Sequence, residues 1–97
     1  MQPVKKVEII IDSVELQRLK NLLDEKGVRG YTIVKNIFGK GERGIKGGDG
    51  LTEVFNNVYV IIACTEDELN LFVDSVRKML KKYGGICLVS DVNLIEH

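Results

Sequence analysis

From Lys5 to Asp12 the chain reads KKVEIIID, β-branched and partly alternating, with Ile9, Ile10 and Ile11 in a run. Such a run predicts a central strand, covered on at least one face and paired on both sides. The period then changes to that of a helix. Leu16, Leu19, Leu22 and Leu23 share one helical face, Asp12 and Ser13 offer an N-cap oxygen, and Glu15 stands where a capping box would need it. With Gly27 as the left-handed terminator, the first helix is expected over Ser13 to Lys26. Gly30 to Lys35 and Val54 to Cys64 read as two more strands, with Asn56-Asn57 marking a bend or bulge in the second. Thr65 and Glu68 repeat the cap-and-box pattern, and Leu69, Phe72, Val73, Val76, Met79 and Leu80 keep helical spacing up to Lys82. Tyr83-Gly84-Gly85 breaks that helix, Ile86 to Val92 forms a last strand, and Asn93 to His97 is left as a tail.

The order is βαββαβ, two βαβ halves. It predicts an α+β fold: a ferredoxin-like sandwich of a four-stranded antiparallel sheet with both helices on one face. The chain is expected to form one domain over residues 1–97. Val7, Ile9 and Ile11, or their alternates, together with residues of Val58 to Ile62, leave apolar side chains on the face without helices, and self-association would cover them.

One stretch resists burial. Residues 37–53, IFGKGERGIKGGDGLTE, hold six of the ten glycines (39, 41, 44, 47, 48 and 50) and almost no apolar side chain between Phe38 and Leu51. It joins two strands, and a segment that cannot bury itself is where binding chemistry concentrates. In Gly39-Lys40-Gly41-Glu42-Arg43-Gly44 two cations stand among glycines, so backbone N–H groups and basic side chains can converge on an anion. The pattern lacks the GxxxxGK[ST] spacing of a P-loop and does not open a helix, so a solvated loop kept polar by its charges is the alternative. The turn at residues 83–85 is a second candidate, since Gly84 and Gly85 present backbone without a Cβ. Lys81 and Lys82 beside it already suit a helix C-terminus.

Composition narrows the choice further. With 97 residues the chain can hide roughly 60–70% of its unfolded surface but cannot also enclose a deep pocket, so a site is expected between subunits. Its 14 basic and 14 acidic residues cancel, leaving no general attraction to nucleic acid or anionic lipid. The longest apolar run, Val58 to Cys64, is too short to cross a bilayer, and a cytoplasmic protein without membrane insertion is expected. Cys64 and Cys87 lie in apolar strands without CxxC spacing, and with only His97 to join them they read as reduced, buried thiols rather than metal ligands. No nucleophile–base or carboxylate pair stands at diagnostic spacing, so no catalytic residue is assigned.

The segment from Gly27 to Ile33 (GVRGYTI), the following FGKGER and the final Val89-Ser90-Asp91-Val92 resemble the PII signalling proteins, in the same order and at similar spacing over nearly the whole chain. GYT followed by GKGxR is closer still to the PII-like subgroup of bicarbonate-transporter- and carboxysome-associated regulators. The resemblance implies a homotrimer of ferredoxin-like subunits, with residues 37–53 as the T-loop and residues 83–85 as a short B-loop. It implies adenine nucleotides, whether AMP, ADP, ATP or cyclic AMP, bound as effectors between subunits. Gly30, Tyr31, Thr32 and Ile33 would lie beside the adenine and ribose, Gly39, Lys40, Gly41 and Arg43 would face the phosphates, and Gly84 and Gly85 would come from the neighbouring subunit. For the carboxysome-like relatives bicarbonate would be a second ligand. The loop tip, Ile45, Lys46, Gly47, Gly48, Asp49 and Gly50, would meet the regulated partner, a membrane transporter or a metabolic enzyme.

Two departures bear on this expectation. Where PII proper reads GDGKIF, this chain reads Tyr83 to Leu88, YGGICL, without the acidic residue and the lysine, and it stops at His97 where PII proper continues; preference for a triphosphate is therefore not implied. Between Phe38 and Thr52 there is no Tyr or Ser to accept a covalent modification, so switching is expected through ligands. The competing readings are a metal-tolerance or structural trimer of the same fold without nucleotide binding, and a sheet-face RNA binder. The second lacks the aromatics and basic face it needs, with only Tyr31 and Tyr59 in the strands.

Overall fold

The computed structural model of the chain describes residues 1–39 and 56–97. Six main elements follow in order: β1 (Gln2–Asp12), α1 (Leu16–Glu25), β2 (Thr32–Ile37), β3 (Asn57–Cys64), α2 (Glu66–Tyr83) and β4 (Ile86–Leu94). The sheet order is β2-β3-β1-β4 and every neighbouring pair is antiparallel, which is the expected ferredoxin-like arrangement.

β1 is central because its alternate residues serve two faces. Val7, Ile9 and Ile11 are fully buried beneath the helices, beside Val58, Val60 and Ile62 of β3. Leu19 and Leu23 of α1 and Leu69, Phe72, Val76 and Met79 of α2 close over them. Each fully buried aliphatic or aromatic side chain in this layer contributes about 1.5–3 kcal/mol. The alternates Lys6, Glu8 and Ile10 therefore occupy the opposite face, in register with Ala63, Ile61 and Tyr59 of β3 and with Ser90, Leu88 and Ile86 of β4. Val34 of β2 joins the row of Tyr59. Leu88 is 55% exposed, Val34 45% and Ile86 37%, so the open face carries apolar surface that the described residues do not cover.

The structure departs from the expected local chemistry in four places. The first helix begins with a 3-10 turn at Ser13–Glu15, and the Asp12–Glu15 capping box does not form. Asp12 instead accepts from the Val14 N–H only two residues ahead, and the Glu15 carboxylate pairs with Arg18 at 3.0 Å. The same side chain that caps an α-helix at the third residue can cap this tighter turn. In α2 the box forms as expected: Thr65 accepts from Glu68 N–H, and the Glu68 carboxylate accepts from Thr65 N–H.

The bulge lies on β2 rather than at Asn56-Asn57. Val34 opposes Tyr59 and Ile37 opposes Asn57, so β2 carries the extra residue, and Asn36 there adopts φ 62°. β2 correspondingly runs two residues past the expected Lys35, and β4 extends to Leu94. Val54 and Phe55, expected at the start of β3, and residues 40–53 of the loop lie outside the described residues. Cys64 is buried but Cys87 is only half-buried, because β4 is an edge strand. Burial raises both thiol pKa values, with the Glu68 carboxylate adding to the effect at Cys64, so each thiol is held protonated.

Candidate functional site

The chain leaves α1 at Gly27 (φ 82°), and the Val28 N–H returns to Leu23 O at 3.0 Å, which aims residues 29–33 along the edge of the sheet. Tyr31 and Ile33 then point to the helix side and pack against the core. The Tyr31 hydroxyl donates to Asp24 Oδ1 at 3.1 Å, and burial first, then that hydrogen bond and the carboxylate charge, raise the phenol pKa. Thr32 is exposed on the open face, opposite Ile61. A Cβ at Gly30 would meet nothing within 4 Å. Of the four expected adenine-side residues, Gly30 and Thr32 present themselves outward. Tyr31 and Ile33 offer outward only their backbone, since their side chains belong to the fold.

At the far end of β2 the bulge is pinned. Asn56 Nδ2 donates to Asn36 Oδ1 at 2.8 Å, and the Asn56 carbonyl accepts from Ser13 N–H at 3.0 Å. The Asn56 side-chain oxygen is buried without a hydrogen-bond partner among the described residues. Gly39 follows, and a Cβ there would meet no atom of the described residues within 4 Å. Lys40, Gly41 and Arg43, and the loop tip Ile45 to Gly50, lie outside the described residues.

The glycine turn is built differently. Gly84, at φ 88°, donates its N–H to Leu80 O at 2.8 Å and ends α2, while Gly85 has φ 116°. A Cβ on Gly85 would lie 2.7 Å from Ile10 O and 2.8 Å from Ile11 Cγ2, so this backbone lies directly on β1. Tyr83, the last residue of α2, packs on the core. The Arg18 guanidinium stands 4.3 Å from its ring centroid and the Lys82 ammonium 5.3 Å. None of Ser13, Arg18, Asn36 and Asn56 was among the expected site residues. Asn36 alone carried a local signal, since Asn is the non-glycine residue that best tolerates positive φ.

The loop base and the glycine turn share one end of the sheet. Ile86, just after the turn, opposes Ile10, which opposes Tyr59 beside Val34 of β2. They sit on opposite edges, however, about 14 Å apart across three strand spacings. Surface grooves among the described residues include one flanked by Val14, Arg18, Leu22 and Ser75 and one by Pro3, Lys5, Glu66 and Asp91. Neither of these includes Gly30 to Ile33, Gly39, Gly84 or Gly85, and with its loop base and turn on opposite edges a single chain brings the two parts of the expected site to one end without joining them.

Comparison with known proteins gives the same architecture. The family model for nitrogen regulatory protein P-II matches residues 4–97. CPII, a nitrogen regulatory PII-like protein from Thiomonas intermedia solved with ADP, AMP and bicarbonate, is 28% identical, with a TM-score of 0.80 covering 98% of this chain and 96% of that one. A PII-like signaling protein from Thermus thermophilus is 27% identical, with a TM-score of 0.70 covering 97% and 91% of the two chains. The ATP complex of GlnK from B. subtilis, at 19% identity and a TM-score of 0.67 over 95% of this chain and 84% of that one, shares the fold.

Proposed function

The chain belongs to the nitrogen regulatory protein P-II family, and we propose that it works as a cytoplasmic homotrimer that binds adenine nucleotides between subunits and regulates a partner through its glycine loop. The observation that carries this reading is the split site. The loop base and the Gly84–Gly85 turn lie at one end of the sheet on opposite edges, so a neighbouring copy that brings its turn to this chain's loop base completes a cleft that one chain leaves open. The uncovered apolar face around Ile10, Tyr59, Ile86 and Leu88 supplies the surface for that association. CPII, similar along almost the whole chain, holds ADP, AMP and bicarbonate.

In this proposal Gly30, Thr32 and the backbone of Tyr31 and Ile33 receive adenine and ribose, and Gly39, Lys40, Gly41 and Arg43 receive the phosphates. Gly84 and Gly85 reach in from the neighbour. Phosphate contacts at Lys40 and Arg43 shift the loop population, and the tip from Ile45 to Gly50 presents the change to a transporter or metabolic enzyme, with bicarbonate as a second ligand. Calorimetric titration with AMP, ADP, ATP and cyclic AMP tests the reading, alongside sedimentation for the oligomeric state. Heat from at least one nucleotide and a trimeric mass are expected; no heat from any of the four, or a monomer, overturns it.

A further inference from the structure

The cations around Tyr83 have no role so far beyond packing. Arg18 and Lys82 belong to different helices yet meet at one aromatic ring, and that ring immediately precedes Gly84. Two positive charges gathered at one ring repel each other unless countered. Glu15 counters one, through Arg18 Nε at 3.0 Å, and among the described residues Lys82 has no carboxylate within 4.0 Å. The Arg18 side chain is 55% exposed, and Lys82 is exposed as well. Among the described residues, one positive charge beside the glycine turn therefore has no counter-charge.

Its placement is also defined. Arg18 is in the first turn of α1, and Ser13 just before it is hydrogen-bonded to Asn56 at the loop base. Asn56, Ser13, the Glu15–Arg18 pair, Tyr83 and Gly84 thus form a continuous rim around the end of the molecule where both halves of the split site lie. Along the strands, Thr32 is level with Glu8 and the loop base with Asp12, a separation of about 13 Å. A nucleotide with its base at Thr32 therefore brings its phosphates to the loop base, where the split site has the neighbouring copy bring its Gly84 turn together with Tyr83, Arg18 and Lys82.

We propose that Arg18 and Lys82, mounted on Tyr83, bind the terminal phosphate of the nucleoside diphosphate and so favour ADP over AMP. This rests on the adenine-nucleotide reading above and assigns it two residues. Charge-assisted bonds to phosphate are short and strong, and the arginine fork suits them.

The test is calorimetric titration of the full chain with ADP and with AMP, for wild type, Arg18→Met, Lys82→Met and Arg18→Lys, with a thermal melt of each. Methionine keeps an unbranched apolar stem against the ring and removes the charge. Each Met variant is expected to weaken ADP about tenfold or more and AMP by less than threefold, and Arg18→Lys to recover part of the loss. If Arg18→Met does not fold, Lys82→Met, at an exposed position, decides the matter alone. ADP affinity within twofold of wild type in the Met variants overturns the assignment while leaving the nucleotide reading standing, and so does an equal loss of ADP and AMP. Absence of ADP heat in the wild type overturns the nucleotide reading and this assignment with it.

Discussion

Glycine flanks the proposed cleft on both sides, for different physical reasons. Gly85 is required by the chain's own packing: at φ 116° it lies so close to β1 that a Cβ would be 2.7 Å from Ile10 O. Gly30, at the start of the opposite edge, has a φ outside the left-handed region, and a Cβ there would meet no atom of the described residues within 4 Å. The turn is thus a preformed wall clamped between β1 and Leu80, whereas nothing among the described residues explains the glycine beside β2. A residue whose smallness the fold does not need is a better guide to a ligand than one whose smallness it does.

Substitutions can break that contrast, beginning with the most severe. Gly85→Ala should cost about 3 kcal/mol, since it combines a positive φ with contact against backbone that cannot move aside. A urea denaturation midpoint close to wild type would show that the turn is not clamped. The loop base should be intermediate. Asn36 sits at φ 62° in the bulge, so Asn36→Val should cost about 1–2 kcal/mol, while Asn36→Gly should cost less because only the Asn56 hydrogen bond is lost. Equal losses in the two variants would place the cost in the hydrogen bond rather than the backbone.

Tyr31→Phe should be milder, about 1 kcal/mol near neutral pH, for the lost bond to Asp24. Its pH signature is more specific. Burial, and then Asp24, hold the Tyr31 phenol above its ordinary 10.0, so the folded chain keeps that proton longer than the unfolded one does. The contribution is complete below that value and is lost as pH rises through the folded pKa. Wild type should therefore lose more stability than Tyr31→Phe in urea melts run from about pH 8 to 11. The phenol of Tyr59, raised chiefly by its bond to Glu8, titrates in both proteins and cancels.

Much of this architecture was legible because the signals were periodic. The leucines of α1, the apolar face of α2 and the β-branched runs of β1 and β3 each repeat one geometric rule several times, and an error at one position is outvoted by the rest. Single-residue signals were less secure. Asp12 offered an N-cap oxygen, but whether it caps an α-helix or a 3-10 turn depends on where Glu15 goes, and Arg18 took Glu15. Asn56-Asn57 looked like the bulge because both residues favour turns, yet strain in a hairpin belongs to whichever strand has the extra residue, and that was β2. For Tyr31 the alternation of the strand turns the ring inward, which leaves its backbone for the adenine side expected of it. The Arg18–Tyr83 contact joins residues remote in sequence, and no local pattern announces it.

The smallest expected effect on the fold is the most informative about the site. Gly30→Ala adds a methyl group where no atom of the described residues lies within 4 Å, at a φ outside the left-handed region, so stability should stay within about 0.5 kcal/mol of wild type. If Gly30 is small because a ligand lies against it, the same substitution should weaken ADP at least about fivefold, since a methyl group placed in a close contact must push the ligand away. The two readouts separate the explanations. A stable variant with weakened binding puts the nucleotide at the β2 edge. A stable variant with unchanged ADP affinity removes Gly30 from the cleft and leaves Thr32, which shares its exposure, as the next residue to substitute. A variant that loses stability would show that the edge beside Gly30 is covered in the assembled protein by protein rather than by a ligand, because among the described residues the added methyl group has nothing to strike.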